Sequence, residues 1–158
     1  MPLNTQCVGM QYPAANPYPV EPGMIRRFAE AVDDSSAAFT DLKTARSLGH
    51  ADVVAPPTFP FIVAARAMSE VVSYPDIGFD PTYLVHSSQR FVYSRPVLAG
   101  DRLITTLEIT AARTLRGMDV LGLRADLTDA GGGHVVTAHM TFVSLSAVEG
   151  GDCDAAPH

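Results

Sequence analysis

Histidine side chains are the groups in this sequence best suited to proton transfer, because imidazole titrates near neutral pH. The chain has five histidines, which lie far apart at His50, His86, His134, His139 and His158. His86 is predicted at the start of a strand beside a candidate cleft, although a strand position facing solvent or a subunit contact is the favoured interpretation. His50 falls in a loop that could approach the mouth of that cleft. The other three are interpreted as structural or incidental.

The sequence lacks the patterns of several other kinds of site. No pair of histidines has the spacing of metal ligands, and no acidic cluster accompanies them. Neither G-x-S-x-G nor G-x-G-x-x-G occurs, so serine-hydrolase and dinucleotide-binding motifs are missing. Cys7 and Cys153 form no C-x-x-C pair and are expected to be reduced and structural. We therefore expect neither a metal nor another cofactor.

Length and composition are those of one small domain. The chain has 158 residues, of which 47% are hydrophobic, and this is enough for a single core. The net charge of -6 argues against nucleic acid as a partner, because phosphates require a basic surface. Residues 1–6 show no basic and apolar leader, and no apolar run approaches the ~20 residues of a membrane span. We expect a cytoplasmic protein that does not insert into membranes.

The first half of the chain is predicted to be helical after an irregular lead-in. Apolar residues recur at helical spacing over 24–32. A second, short helix is predicted to begin with Thr40 as its N-cap and to stop at Gly49. A third helix is predicted after Pro60, where the sequence is apolar almost all round until Pro75. A helix that is hydrophobic on every face has to be buried, so it requires a sheet around it.

The second half supplies that sheet. Four segments have the alternation or the β-branched composition of strands, and short turn signals separate them. The predicted strands are 84–94, 103–115, 120–127 and 135–145. Helices followed by consecutive strands indicate an α+β fold, with an antiparallel β-sheet wrapped around a long buried helix. We predict one domain over residues 1–146 and a flexible C-terminal tail over 147–158.

Two motifs identify a family resemblance. A-P-P-T-F at 55–59 comes directly before the apolar helix, and R-P-V-L-A-G-D-R-L at 95–103 lies between two predicted strands. Together they resemble the MaoC-like hot-dog dehydratases, and in particular the FAS1-like N-terminal dehydratase group. That group includes the non-catalytic subunit of heterodimeric (3R)-hydroxyacyl-carrier-protein dehydratases. The resemblance implies a hot-dog fold and an acyl-CoA or acyl-carrier-protein substrate.

The same family carries a catalytic loop with the pattern D-x-N-P-x-H, and this chain departs from it. Asp34 matches the aspartate, Ser36 and Ala37 replace the Asn and Pro, and Phe39 stands in place of the histidine. Dehydration of a 3-hydroxyacyl thioester needs a base for the α-proton and an acid for the leaving hydroxide, and phenylalanine is neither. Loss of positioned acid–base catalysis typically costs ~10²- to 10⁴-fold. No catalytic residue is therefore predicted, and Asp34 is interpreted as a turn residue.

Substrate-binding residues are predicted around the start of the apolar helix. Backbone N–H groups at a helix start could hold the thioester oxygen, and aromatic side chains there could line an acyl-chain channel. We expect at least one such aromatic to line a cavity of that kind, although filling of the core is the favoured role for each one singly. The predicted residues are Pro57, Thr58, Phe59, Phe61 and His86.

Three functions are compatible with these patterns. The first is a non-catalytic, acyl-chain-binding subunit that pairs with a catalytic hot-dog subunit, because a single hot dog has an unpaired edge strand. The second is a homodimeric acyl-thioester binding protein without catalysis. The third is a self-sufficient hydratase or thioesterase with a non-standard site, for which His86 with Asp34 is the candidate pair.

Overall fold

The computed structural model describes residues 2–14 and 16–145. The predicted tail and the domain boundary at residue 146 lie outside these residues, as do Cys153 and His158. The helices are α1 (Pro22–Ala31), α2 (Leu42–Ser47) and α3 (Pro60–Val72), and single 3₁₀ turns occupy Thr5–Cys7, Ala37–Phe39 and Pro75–Ile77. The strands are β1 (Gln11–Pro13), β2 (Tyr18–Pro19), β3 (Leu84–Tyr93), β4 (Arg102–Leu115), β5 (Met118–Thr128) and β6 (His134–Leu145).

The short helix α2 begins one residue later than predicted. Its N-cap is Asp41, whose carboxylate accepts the backbone N–H groups of Lys43 and Thr44 at 3.3 and 2.8 Å. The prediction of Thr40 as the cap is wrong, because Thr40 closes the preceding 3₁₀ turn through its own N–H, which donates to Ala37. Both residue types can cap a helix, and the position of the preceding turn decides which of them does.

The long strands form an antiparallel sheet in the order β1-β4-β5-β6-β3, and β2 also pairs with β4. A tight hairpin joins β4 to β5 through Arg116 and Gly117, both of which have positive φ, as two-residue hairpin turns require. In the described residues β3 pairs only with β6, and its register shifts between His86 and Ser88. One edge of β3 is therefore free.

Helix α3 packs on one face of this sheet, and its burial corrects the prediction. One side of the helix is buried, through Val63, Ala64, Ala67 and Val71, whereas Arg66 and other polar residues are exposed. The helix is therefore not buried on every face, because a single sheet covers one side of it only. The apolar residues that remain half-buried on α3 are Phe61, Ile62, Ala65, Met68 and Val72.

Candidate functional site

A mostly apolar cavity of about 430 Å³ lies where the 3₁₀ turn Ala37–Phe39 meets the sheet. Its size falls within the range of small-molecule sites, about 300–1,000 Å³. Four segments of the chain build its wall. The lining residues are Phe39, His50, Val54, Ala55, Pro57, Tyr93, Ser94, Arg95, Pro96 and Val97.

The loop after α1 places an aromatic ring in the cavity wall. Phe39 is buried, with 8% of its surface exposed, and it lies at the position where the related motif has histidine. Asp34 does not line this cavity: it is exposed and lies on a separate one with Arg26 and Thr40. The Asp34 carboxylate accepts the backbone N–H of Ser36 at 3.2 Å, which is the geometry of an aspartate turn. The loop therefore brings no proton-transfer pair together.

The segment R-P-V-L-A-G-D forms the opposite part of the wall, and an ion pair closes it. The guanidinium of Arg95 donates to both carboxylate oxygens of Asp101 at 2.8 and 3.0 Å, and to Asp129 at 3.3 Å. Asp101 also accepts the backbone N–H of Leu98 at 2.9 Å. The hydrogen bonds to Asp101 raise the pKa of the Arg95 guanidinium. The pKa of the Asp129 carboxyl is lowered, first by the hydrogen bond that it accepts from the backbone N–H of Gly133 and second by the one from Arg95. A two-pronged contact of this kind fixes geometry as well as charge.

Backbone hydrogen bonds tie this turn to the segment that contains A-P-P-T-F. The N–H of Ala55 donates to Val97 at 2.8 Å, and the N–H of Ala99 donates to Val53 at 3.0 Å. Val54 and Leu98 thereby form an isolated antiparallel bridge. The two motifs that carried the family resemblance are thus neighbours in space, and together they shape the cavity.

The start of α3 offers a single free backbone donor. The N–H groups of Phe59, Phe61 and Ile62 donate to carbonyls three residues earlier, at 2.9 to 3.1 Å. Proline has no N–H, which removes positions 57 and 60. Among the described residues, only the N–H of Thr58 lacks an acceptor in the segment 57–62. We expected several free N–H groups at the helix start, and the structure leaves one in this segment, that of Thr58.

Tyr93 holds this start in place. Its hydroxyl donates to the carbonyl of Pro57 at 2.6 Å. Although 37% of the residue is exposed, desolvation around the phenol oxygen raises the pKa of Tyr93 to about 12. The hydroxyl therefore keeps its proton at neutral pH and acts as a donor, not as a base. Sequence reasoning missed this residue, because nothing in the alternation of β3 distinguishes an anchoring tyrosine from a packing one.

The predicted substrate-binding residues are not gathered in one place. Pro57 lines the cavity and Thr58 is exposed beside it. Phe59 is fully buried and packs edge-on against Phe28, with ring centroids 5.5 Å apart, so it belongs to the core. Phe61 is half-buried and stacks on His86 at 4.9 Å. The cavity thus lies beside Phe39 and Pro57, and it is not lined by the two phenylalanines that begin α3.

The histidines His86, His50 and His134 lie in three different surroundings. His86 is stacked between Phe61 and Phe142, and no described cavity contains it together with Asp34. His50 lines the cavity, in agreement with its expected approach to the mouth. His134 bridges the Ser94 and Thr137 hydroxyls at 2.6 and 2.8 Å, which is a structural role. In residues 2–14 and 16–145 no three His, Cys, Asp or Glu side chains cluster as metal ligands would.

Comparison with known proteins assigns the family. Residues 6–138 match the model of the FAS1-like dehydratase domain region. The chain belongs to this family. Two curated relatives are UPF0336 proteins: that of Streptomyces coelicolor is 45% identical over 149 residues, with 94% of this chain and 99% of the relative covered. That of Streptomyces griseus subsp. griseus is 47% identical with the same coverage of both chains.

Solved structures confirm the hot-dog fold. A chain of the C-terminally truncated HadBC complex, a (3R)-hydroxyacyl-ACP dehydratase from Mycobacterium tuberculosis, superimposes with a TM-score of 0.82 at 32% identity. The match covers 90% of this chain and all of that one. An (R)-hydratase from A. caviae matches in fold alone, with a TM-score of 0.63 at 16% identity over 85% of this chain and 94% of that one. This FAS1-like dehydratase chain thus has a dehydratase-like body.

Proposed function

We propose that this FAS1-like dehydratase chain is the non-catalytic, acyl-chain-binding subunit of a (3R)-hydroxyacyl-thioester dehydratase. The observation that carries the proposal is Phe39, which occupies the histidine position of the family motif on the wall of a mostly apolar cavity. The ion-paired turn, the A-P-P-T-F segment and the free N–H of Thr58 are all retained. The chain keeps the parts that bind and lacks the part that transfers protons.

The reaction divides between two subunits on this proposal. The apolar wall of the cavity takes up the acyl chain, whose transfer out of water is favourable. The N–H of Thr58 can donate to the thioester oxygen, where negative charge develops as the α-proton leaves. A partner supplies the histidine and carboxylate that take this proton and protonate the leaving hydroxide. The acyl group would be carried by coenzyme A or a carrier protein, and we propose the cytoplasm as the location.

The free edge of β3 supports pairing with a second hot-dog subunit. The strand has unpaired backbone groups on one side among the described residues, and Val85 and Val92 on it are 51% and 42% exposed. An edge strand with exposed apolar residues near both of its ends can pair with another strand. Five apolar residues of α3 outside its buried side, named above, are also only half-buried. The related HadBC chain comes from a complex of hydroxyacyl-ACP dehydratase subunits.

Hydration of a trans-2-enoyl pantetheine thioester tests the proposal, followed as loss of the conjugated enoyl absorbance. We expect no turnover by the purified, folded chain alone. We expect turnover after co-expression with a hot-dog subunit that has an intact D-x-N-P-x-H loop, and its loss when the partner's histidine is replaced by alanine. Turnover by the chain alone, or failure to associate with any such subunit, would contradict the proposal.

One observation favours a second candidate, a self-sufficient enzyme. His50 is a histidine on the cavity wall, whereas the pair expected from sequence, His86 and Asp34, lies on separate parts of the structure. If the chain alone hydrates enoyl thioesters, His50→Gln should abolish turnover, and His86→Gln should leave most of it. The reverse result would place the chemistry outside this cavity.

The homodimeric binding protein differs from the leading proposal in its partner alone. Two copies of the free β3 edge could pair with each other. Sedimentation equilibrium of the chain alone, and then with a catalytic hot-dog subunit, separates the two. A stable homodimer that does not exchange with the second subunit supports the binding protein, whereas a heterodimer supports the dehydratase subunit.

A further inference from the structure

A trough of about 340 Å³ crosses the face of the sheet that is turned away from α3. Phe142 faces the helix, because its ring and that of Phe61 enclose His86. Thr141, the preceding residue of β6, therefore points to the other face, since side chains alternate along a strand. Thr141 lines the trough, which is thus a separate site from the cavity beside Phe39.

Small side chains form the floor of the trough. One row of register partners crosses β3, β6, β5 and β4, and it consists of Ser88, Thr141, Gly122 and Ala111. The lack of a side chain at Gly122 keeps this floor open, because a Cβ there would lie 3.0 Å from both Ala111 Cβ and Thr110 Oγ1. Neighbouring strands are about 4.8 Å apart, so three spacings give the row a length of roughly 14 Å. The shape suits an elongated small molecule.

The two ends of the trough carry positive charge. Arg90 follows Ser88 by two residues in β3, and Arg113 follows Ala111 by two residues in β4. β3 and β4 run in opposite directions, because three antiparallel pairings separate them. The two arginines therefore lie at diagonally opposite corners. Among the described residues, none that lines the trough is acidic, and neither arginine forms an ion pair.

Arg124 is an arginine of the same face whose charge is neutralised within the chain. It lies in the same row as Arg90, and its guanidinium pairs with Glu108 and Asp126, each at 3.0 Å. Arg90 and Arg113 have no such carboxylate among the described residues, although the whole chain has a net charge of -6. A guanidinium binds phosphate through two parallel hydrogen bonds. An anionic ligand would therefore supply the partner that each of these two arginines lacks.

The lining between the two arginines offers uncharged hydrogen-bonding groups. These are the hydroxyls of Ser88, Thr110 and Thr141 and the imidazole of His139. Hydroxyl groups both donate and accept hydrogen bonds, so they suit the hydroxyls of a sugar or polyol. On these observations we propose that the trough binds a small sugar or polyol that carries a phosphate at each end. The site does not depend on the proposed acyl binding, because it lies on the other face of the sheet.

Calorimetric titration of the full chain with fructose 1,6-bisphosphate and with fructose 6-phosphate, at one ionic strength, tests the proposal. Hydrogen bonds to a charged group change a dissociation constant by roughly tenfold or more, so the bisphosphate should bind at least that much more tightly. The backbone amide resonance of Gly122 should shift when the bisphosphate is added. In Arg90→Gln and in Arg113→Gln the preference should fall to about one, because each variant lacks the partner of one phosphate.

The matched control is Arg102→Gln, because Arg102 is an exposed arginine of β4 that does not line the trough. This variant should keep the preference of the wild type. The proposal would be overturned if the wild type fails to bind the bisphosphate at millimolar concentration or binds both probes equally. A preference that survives in both trough variants, or binding that leaves the Gly122 resonance unshifted, would also overturn it. The wild-type titration and spectrum decide the matter even where a variant does not fold.

Discussion

Two stretches of the chain contribute to one cavity wall, and they differ in how they are held. The turn 95–101 is closed by the charged pair of Arg95 and Asp101 and is bonded to the segment before α3. In the loop 34–39, one side-chain hydrogen bond forms, in which the backbone N–H of Ser36 donates to the Asp34 carboxylate. The last residue of this loop, Phe39, is buried. The first stretch fixes the shape of the cavity by polar contacts. The second contributes a hydrophobic surface through the ring of Phe39.

The largest effect is expected from the hydrophobic stretch. Phe39→Ala should lower the free energy of unfolding by roughly 3 kcal/mol, because it removes most of a buried ring and enlarges the cavity. Urea denaturation measures this loss. Phe39→Leu, the volume-conserving control, should cost less than about 1.5 kcal/mol.

Phe39→His introduces the histidine of the family motif and tests whether the loop can then catalyse hydration. We expect this variant to fold less stably and to give no hydration activity by itself, because Asp34 lies on a separate cavity. Measurable enoyl-thioester hydration by Phe39→His would show that the loop retains catalytic geometry. The identity of residue 39 would then be the one feature of this loop that prevents catalysis.

A smaller loss of stability is expected from the charged stretch. Asp101→Ala removes the two-pronged partner of Arg95 and the acceptor for Leu98, so the free energy of unfolding should fall by about 2 kcal/mol. Asp119 is a suitable control, because its carboxylate lies in the hairpin of β4 and β5, where it accepts from Thr114. Asp119→Ala should cost about 0.5 kcal/mol or less. Equal losses of unfolding free energy in the two variants would show that the ion pair stabilises the turn no more than the Thr114–Asp119 hydrogen bond stabilises its hairpin.

The smallest effect concerns Tyr93, which connects the end of β3 to the start of α3. Because folding raises the pKa of this phenol from 10.0 to about 12, its contribution to stability is present below pH 10 and is lost as pH rises towards 12. The urea midpoint of the wild type should therefore fall between about pH 10 and about pH 12. Tyr93→Phe should lose about 1 kcal/mol at neutral pH and weaken this dependence.

Tyr83 supplies the control for that titration, because it is 57% exposed. Tyr83→Phe should retain both the neutral-pH stability and the alkaline fall of the wild type. If the urea midpoint of Tyr93→Phe falls at alkaline pH by as much as that of the wild type, another group causes the loss.

Sequence patterns located the sheet and α3 well, for identifiable reasons. The turn residues Arg116 and Gly117 are placed where the hairpin needs positive φ, so the end of β4 at Leu115 was predictable, although β5 begins at Met118, two residues before its predicted start. Pro60 fixes the start of α3, because proline suits the first helical turn. The one-sided burial of α3 was not predictable, since its apolar composition does not record how much of it one sheet can cover.

The candidate site was predicted less well than the fold. The absence of a proton donor at Phe39 could be read from the family pattern, and Pro57 was placed near the site. The position of the cavity depends on the bridge between Val54 and Leu98, which joins segments far apart in the chain. The roles of Phe59, Phe61 and His86 in binding stay predictions. Local periodicity carries no information on such long-range pairing.

The pairing of β3 has a consequence for the synthesis of the protein. Its hydrogen-bonded neighbour is β6, the last strand of the described chain, whereas β4 and β5 follow β3 and pair with each other. During translation β3 therefore leaves the ribosome with neither edge covered, and it stays unpaired until β6 has emerged. Unpaired apolar strands in nascent chains are prone to aggregate. Production of this protein should accordingly depend on chaperones that shield β3 until β6 arrives.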